Sequence, residues 1–156
     1  MAPIDRLYFA YVAEPVSEGR RHPHAPAHLT LVPPFAAAID VAADALRTAV
    51  TGRRRFTVHA AEPARFGPRG DIPVHLVAPV EELRVLHERL IGELTQRGVT
   101  LVSDRHIHDR FVPHIRIRPA VPGFPPIGSG QEFTIDHVAL MRSGTGRIVA
   151  REALDG

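Results

Sequence analysis

The chain has 156 residues, of which 44% are hydrophobic, and this composition is sufficient for one globular domain with a buried core. The chain has 19 Lys and Arg and 17 Asp and Glu, so its net charge is +2. This small charge excludes a general, sequence-independent attraction to nucleic acid. The sequence contains no cysteine, so disulfides and thiolate chemistry are also excluded. The N-terminus lacks a signal-peptide pattern, and no apolar run approaches the roughly 20 residues of a membrane helix. We therefore predict a cytoplasmic protein that does not span a membrane.

The first half of the chain alternates between strand and helix patterns. Residues 6–13 form a short aromatic and apolar run that predicts a buried strand. Residues 27–35, AHLTLVPPF, predict a second strand that ends at Pro33 and Pro34, because proline cannot donate to a sheet. Residues 40–51 carry apolar side chains at helical spacing and predict the first helix.

The second half repeats this order loosely. Residues 56–66 and 73–80 predict a hairpin around the GPRGD turn, and residues 81–97 predict a helix with leucines at intervals of three and four. Residues 111–119, FVPHIRIRP, predict another strand, and two final strands, from Glu132 and from Gly146, predict a closing hairpin. Each half thus holds one helix and one strand that carries a histidine, which indicates an α+β fold and hints at a duplicated unit.

The two histidine strands share an arrangement of side chains. In AHLTLVPPF, His28 and Thr30 point from one face, while the leucines between and after them point from the other. In FVPHIRIRP, His114 and Arg116 share a face in the same way, opposite Ile115. A histidine in a strand is more often an ordinary surface residue, so the alternative is that His28 and His114 are unrelated.

These motifs give the sequence a family resemblance. His28-Leu29-Thr30 and Pro113-His114-Ile115-Arg116 resemble the two His-hydrophobic-Thr/Ser motifs of the two-histidine (2H) phosphoesterase superfamily, in particular its bacterial branch similar to 2′-5′ RNA ligases and cyclic phosphodiesterases. The resemblance spans nearly the whole chain. It implies one domain over residues 1–156, with two antiparallel sheets flanking a central cleft, two main helices outside, and one motif from each pseudo-symmetric lobe.

The resemblance also implies a mechanism that needs no metal and no cofactor. His28 and His114 would act as general acid and general base on a 2′,3′-cyclic or 2′-5′ phosphodiester, and their roles would exchange in the reverse ligation. Thr30 and Arg116 would hold the non-bridging phosphate oxygens. The implied partners are RNA ends or nucleotides that carry a cyclic or 2′-linked phosphate, and we expect a monomer.

Arg116 departs from the family pattern, which has Ser or Thr at this position. A guanidinium can bind phosphate through two hydrogen bonds, so we expect a phosphate contact. The alternative is that Arg116 turns into solvent with Arg118, which would leave a phosphate- or nucleotide-binding module with impaired catalysis.

Three more residues are candidate substrate contacts. His24 and His106 lie in polar loops that each precede a histidine strand, so we expect both to border the cleft. Tyr8 offers a ring that could stack on a base, although core packing is the simpler role. The spacings of His22 with His24, and of His106, His108 and Asp109, also leave open a metal-dependent hydrolase, although solvated loop histidines explain them more simply.

Overall fold

The computed structural model describes residues 2–14, 27–117 and 126–156. The elements of these segments are, in chain order, β1 (Asp5–Val12), β2 (His28–Ala37), α1 (Ile39–Val50), β3 (Phe56–Phe66), β4 (Ile72–Ala78), α2 (Glu81–Gln96), a short 3₁₀ turn (His108–Arg110), β5 (His114–Arg116), β6 (Glu132–Ile135), β7 (His137–Arg142) and β8 (Arg147–Ala153). The predicted α+β class is confirmed, and both predicted helices are present within one residue of their expected bounds.

The strands form one antiparallel sheet in the order β6-β3-β4-β5-β2-β1-β7-β8. The sheet consists of two four-stranded halves, β6-β3-β4-β5 and β2-β1-β7-β8. Each half contains one of the two histidine strands at its inner edge, and the halves are continuous because β2 pairs with β5. The two predicted sheets therefore correspond to the halves of a single sheet, with the histidine strands at its centre.

Both helices pack on one face of this sheet. The four leucines of α2 are buried against the same core as Leu29, Leu31 and Ile115, as the leucine spacing predicts. The opposite face carries a smaller apolar cluster formed by Ala10, Val12, Ala139, Met141 and Ile148, with Tyr8 packed beside it. No helix in the described segments is long and apolar enough to cross a membrane.

The predicted end of β2 at its two prolines is wrong, because the strand continues to Ala37. Phe9 pairs with Val32 and Leu7 pairs with Phe35, so one residue of β1 faces both prolines of β2. This irregularity is a β-bulge, where the ladder is interrupted and an amide hydrogen is not required.

The predicted closing hairpin is correct only for β7 and β8. The preceding residues form a separate strand, β6, which pairs with β3 at the far edge of the sheet. The division falls at Asp136, whose carbonyl accepts a hydrogen bond from the amide of Leu154. The apolar pattern runs through this point without a Gly or Pro, so the sequence gives no signal that the chain changes from one half of the sheet to the other.

Candidate active site

Pairing of β2 with β5 brings the two histidine motifs together. Leu29 lies opposite Ile115, and both side chains are fully buried in the core beneath the helices. Side chains alternate along a strand, so the residues that flank this pair point to the opposite face. Antiparallel geometry then sets Thr30 opposite His114 and His28 opposite Arg116. Two motifs that lie far apart in the chain thus form one group of four side chains on the face that the helices leave open.

The backbone fixes the ring of His114. Its Nδ1 lies 2.8 Å from the carbonyl oxygen of Val112, which can only accept a hydrogen bond, so Nδ1 carries the hydrogen. The second ring nitrogen, Nε2, is therefore the one that exchanges protons in the neutral ring. Burial lowers the pKa of His114, and the charges of His106 and His28 lower it further, against the opposing effect of the Val112 hydrogen bond. His28 is therefore close enough to His114 to influence its protonation.

Tyr8 lies beside His28, with 5.5 Å between the ring centroids. Its strand, β1, presents Ala10 opposite Thr30, and Tyr8 packs on the same side as Ala10. Burial raises the pKa of the Tyr8 hydroxyl, so it stays protonated near neutral pH. The tyrosine that the sequence suggests as a substrate contact is thus adjacent to the first histidine motif.

His106 and Phe66 flank His114 from the other side. The ring of Phe66 lies 4.3 Å from that of His114, and the ring of His106 lies 6.3 Å away. Phe66 and His106 are nearly parallel, with 9° between their planes and 6.1 Å between their centroids. Their three rings form one aromatic wall of the site.

Phe66 is a candidate site residue that the sequence does not indicate. It is the last residue of β3, directly before the turn of the β3–β4 hairpin. An aromatic residue at such a point usually packs across its own hairpin, so its position alone does not distinguish a site residue.

The other candidates have different positions. Arg116 is exposed and shares the open face with His114, whereas Arg118, His22 and His24 lie outside the described residues. His108, a potential metal ligand in the sequence, instead has its Nδ1 2.8 Å from the carboxylate of Glu88. Within residues 2–14, 27–117 and 126–156, no three His, Asp or Glu side chains are grouped to hold a metal ion.

Comparison with solved structures shows the same fold in several proteins. A crystal structure described as a phosphoesterase is 21% identical with a TM-score of 0.67, and covers 99% of this chain and 100% of that one. Escherichia coli LigT in complex with 3′-AMP is 21% identical with a TM-score of 0.64, at the same coverage. TT0787 of Thermus thermophilus is 19% identical with a TM-score of 0.66, and covers 97% of this chain and 98% of that one. No curated protein sequence matches the chain significantly.

The sequence profile of the 2′-5′ RNA ligase superfamily matches residues 3–123. This segment contains both histidine motifs and the strands that bring them together. The matched segment is most of the chain, so the protein belongs to the 2′-5′ RNA ligase superfamily, the two-histidine phosphoesterases.

Proposed function

We propose that this protein is a metal-independent phosphoesterase that opens, or in reverse forms, a 2′,3′-cyclic or 2′-5′ phosphodiester of nucleotides or RNA ends. The observation that carries the proposal is the Leu29–Ile115 pairing, which turns His28 and His114 to one face of adjoining strands. Two imidazoles on either side of a phosphate can supply the acid and the base that this reaction needs.

His114 is the better candidate for the general base in hydrolysis. Its lowered pKa keeps it neutral near pH 7, and Nδ1 is occupied by the Val112 carbonyl. Nε2 would then take a proton from the attacking water as the water oxygen bonds to phosphorus. The role follows from an imidazole that is both neutral and fixed in one tautomer.

His28 would be the general acid. It would give a proton to the sugar oxygen as the bond between that oxygen and phosphorus breaks, so that one proton enters His114 and one leaves His28. In ligation the same two residues exchange roles.

Thr30 and Arg116 would bind the non-bridging phosphate oxygens. Each stands across the strand pair from one of the histidines, so a phosphate between the imidazoles would lie within the reach of both side chains. The guanidinium of Arg116 brings a full charge where the family motif has a hydroxyl, which strengthens binding of the negatively charged phosphate.

The substrate would be a nucleotide or a short RNA end. Crystal structures of E. coli LigT contain 3′-AMP, NADP⁺, ATP or phosphate, which supports a nucleotide-sized ligand for the shared fold. The rings of Tyr8, Phe66 and His106 offer surfaces on which a base can stack. A contact from His24, a monomeric state and a cytoplasmic location stay predictions from the sequence.

Incubation with 2′,3′-cyclic nucleotides and 2′-5′-linked dinucleotides tests the proposal directly. We expect ring-opened or cleaved products at rates that EDTA does not change, and a loss of activity in EDTA would instead support the metal-dependent alternative.

The second candidate, a binding module, is favoured by the replacement of the motif hydroxyl with Arg116. Ligand binding without product formation would support that module and contradict the enzyme.

A further inference from the structure

His87 of α2 is fully buried, and its two ring nitrogens form hydrogen bonds to β2 and to the segment that precedes β5. Its Nδ1 lies 2.6 Å from the carbonyl oxygen of Leu31, the residue after Thr30 in β2. Its Nε2 lies 2.9 Å from the amide nitrogen of His108, in the segment between His106 and His114. One side chain on the helix face thus joins the strand of the first motif to the segment that leads into the second.

These two contacts require one form of the ring. A carbonyl oxygen only accepts, so Nδ1 carries the hydrogen, and a backbone amide only donates, so Nε2 presents its lone pair. His87 is therefore neutral, in agreement with burial that lowers its pKa. The ring also stacks on Phe111 at 4.1 Å, with 9° between the planes. Rotation of this ring would break both hydrogen bonds and the stacking together.

The segment around His108 has a strained backbone conformation, which is stable only where neighbouring groups hold it in place. His106 and His108 have φ of 60° and 51°, in the left-handed region that is unfavourable for residues other than glycine. Two further residues of α2 hold His108, because Arg84 donates to its carbonyl oxygen at 3.0 Å and Glu88 pairs with its ring. With His87, these side chains lie on consecutive turns of one helix face and fix the residue from three sides.

Packing alone does not explain a histidine at position 87. The buried face of α2 is otherwise made of Leu83, Leu86, Leu90, Ile91 and Leu94, and an apolar side chain would fill the same space without polar atoms to satisfy. The ring instead replaces hydrogen bonds that the Leu31 carbonyl and the His108 amide would otherwise need from water.

We propose that His87 is a positioning residue of the active site, which ties β2 to residues 101–113 and thereby sets where His106 and His114 stand relative to His28 and Thr30. Its effect on turnover rests on the proposed function. Its effect on the arrangement of the histidines does not, and the two can be measured separately.

Three variants separate the two hydrogen bonds of His87. His87→Asn retains an amide that can donate to the Leu31 carbonyl but is too short to reach His108. His87→Gln can bring its carbonyl oxygen to the position of Nε2 and accept from the His108 amide. His87→Phe removes both hydrogen bonds while keeping a flat ring against Phe111. We expect kcat to fall about 10- to 100-fold in the Phe and Asn variants, with a smaller loss in the Gln variant and little change in KM.

Leu90→Val is the matched control. Leu90 is fully buried on the same helix face, so its truncation loosens the core while the hydrogen bonds that join Arg84, His87 and Glu88 to His108 remain. Its kcat should stay near that of the unmodified protein at a temperature where all variants are folded. Equal losses of kcat in Leu90→Val and His87→Phe would overturn the proposal, because both would then report general loosening.

The titration of His114 by NMR gives a readout that does not need activity. Burial is the largest cause of the lowered pKa of His114 in the intact site, and the charges of His106 and His28 lower it further. Release of the segment exposes the ring and moves His106 away, and this outweighs the loss of the Val112 hydrogen bond, because burial is the largest of these effects. The pKa of His114 should therefore rise in His87→Phe and His87→Asn, but not in Leu90→Val. Inactivity of the unmodified protein would contradict the proposed function alone. An unchanged His114 titration in His87→Phe and in His87→Asn would contradict the positioning role.

Discussion

Leu29 and Ile115 face each other across β2 and β5, and their burial decides where the histidines point. Because side chains alternate along a strand, a slip of one residue in this register would turn the histidines into the core and the aliphatic side chains into the open face. The apolar residue in the middle of each motif is therefore as necessary to the site as the polar residues at its ends.

Removal of either motif histidine should abolish most turnover. We expect His28→Ala and His114→Ala each to lower kcat on a 2′,3′-cyclic nucleotide by at least about 100-fold, because each loses a proton donor or acceptor. Circular dichroism should show an unchanged fold, since both side chains point away from the main core. His59→Ala, an exposed histidine of β3, is the control and should keep full activity. Activity retained by one of the motif variants would remove that histidine from the mechanism.

Arg116 should contribute to binding of the phosphate. We expect Arg116→Ala to lower kcat/KM by about 10- to 150-fold, since a charged hydrogen bond to phosphate is worth roughly 1.5–3 kcal/mol. Arg116→Thr restores the hydroxyl of the family motif and should recover part of the loss. Steady-state kinetics on one cyclic nucleotide measure both effects. Arg116→Ala with unchanged kinetics would mean that this side chain faces solvent, as the alternative holds.

Much of this arrangement could be predicted from the sequence because it depends on local periodicity. Alternation along residues 27–35 and 111–117 indicates the common face of each motif, and the leucine spacing of α2 indicates its buried side. The family resemblance then indicates that the two strands belong to one site. The fold class and the position of the motifs follow from these patterns.

The rest depends on long-range contacts that leave no local pattern. Phe66 lies on β3 and His114 on β5, and the two rings meet because the sheet places these strands close together, with only β4 between them. The role of Phe66 therefore depends on the order of the strands. His87 looks like a polar interruption of an apolar helix face until Leu31 and His108 are brought against it. The division at Asp136 likewise becomes visible only once β6 pairs with β3.

The aromatic wall should affect substrate binding more than the chemical step. We expect Phe66→Ala to raise KM for a cyclic nucleotide by about 5- to 100-fold, the range for the loss of one base–aromatic stacking contact. Phe66→Tyr keeps the ring and should keep the KM. Tyr8→Ala tests the opposite side of the site, where the ring lies beside His28. An unchanged KM in both alanine variants would mean that the base lies elsewhere.

The pH dependence of kcat/KM should report the lowered pKa of His114. If His114 is the base, activity rises with pH as this group loses its proton, so the acid limb should lie below the ordinary histidine value of 6.5. The charge of His106 is one cause of the lowering, after burial. Replacement of His106 by Ala should therefore move the acid limb to higher pH. An acid limb at or above 6.5 in the unmodified protein would contradict the assignment of His114 as base.

Two buried histidines should make the protein less stable in acid. Burial lowers the pKa of both His87 and His137 in the folded state, while an exposed histidine in the unfolded chain titrates near 6.5. Below 6.5 the unfolded chain therefore binds more protons, and the free energy of unfolding falls as pH decreases toward the folded-state pKa values. The slope should reach about 1.4 kcal/mol per pH unit for each proton.

His137 offers a direct test of this acid sensitivity. Its Nε2 accepts a hydrogen bond from the amide of Val12 at 3.2 Å, and its Nδ1 lies 2.6 Å from the carboxylate of Asp136. Protonation of Nε2 would turn it into a donor that faces the donating amide of Val12, so this hydrogen bond would be lost. Urea unfolding at about pH 7.5 and about pH 5.5 should show a smaller loss of stability for His137→Gln than for the unmodified protein, because one titrating group is removed. His59→Gln, at an exposed position, should keep the original pH dependence. Equal pH dependence in all three proteins would show that protonation of His137 does not oppose folding.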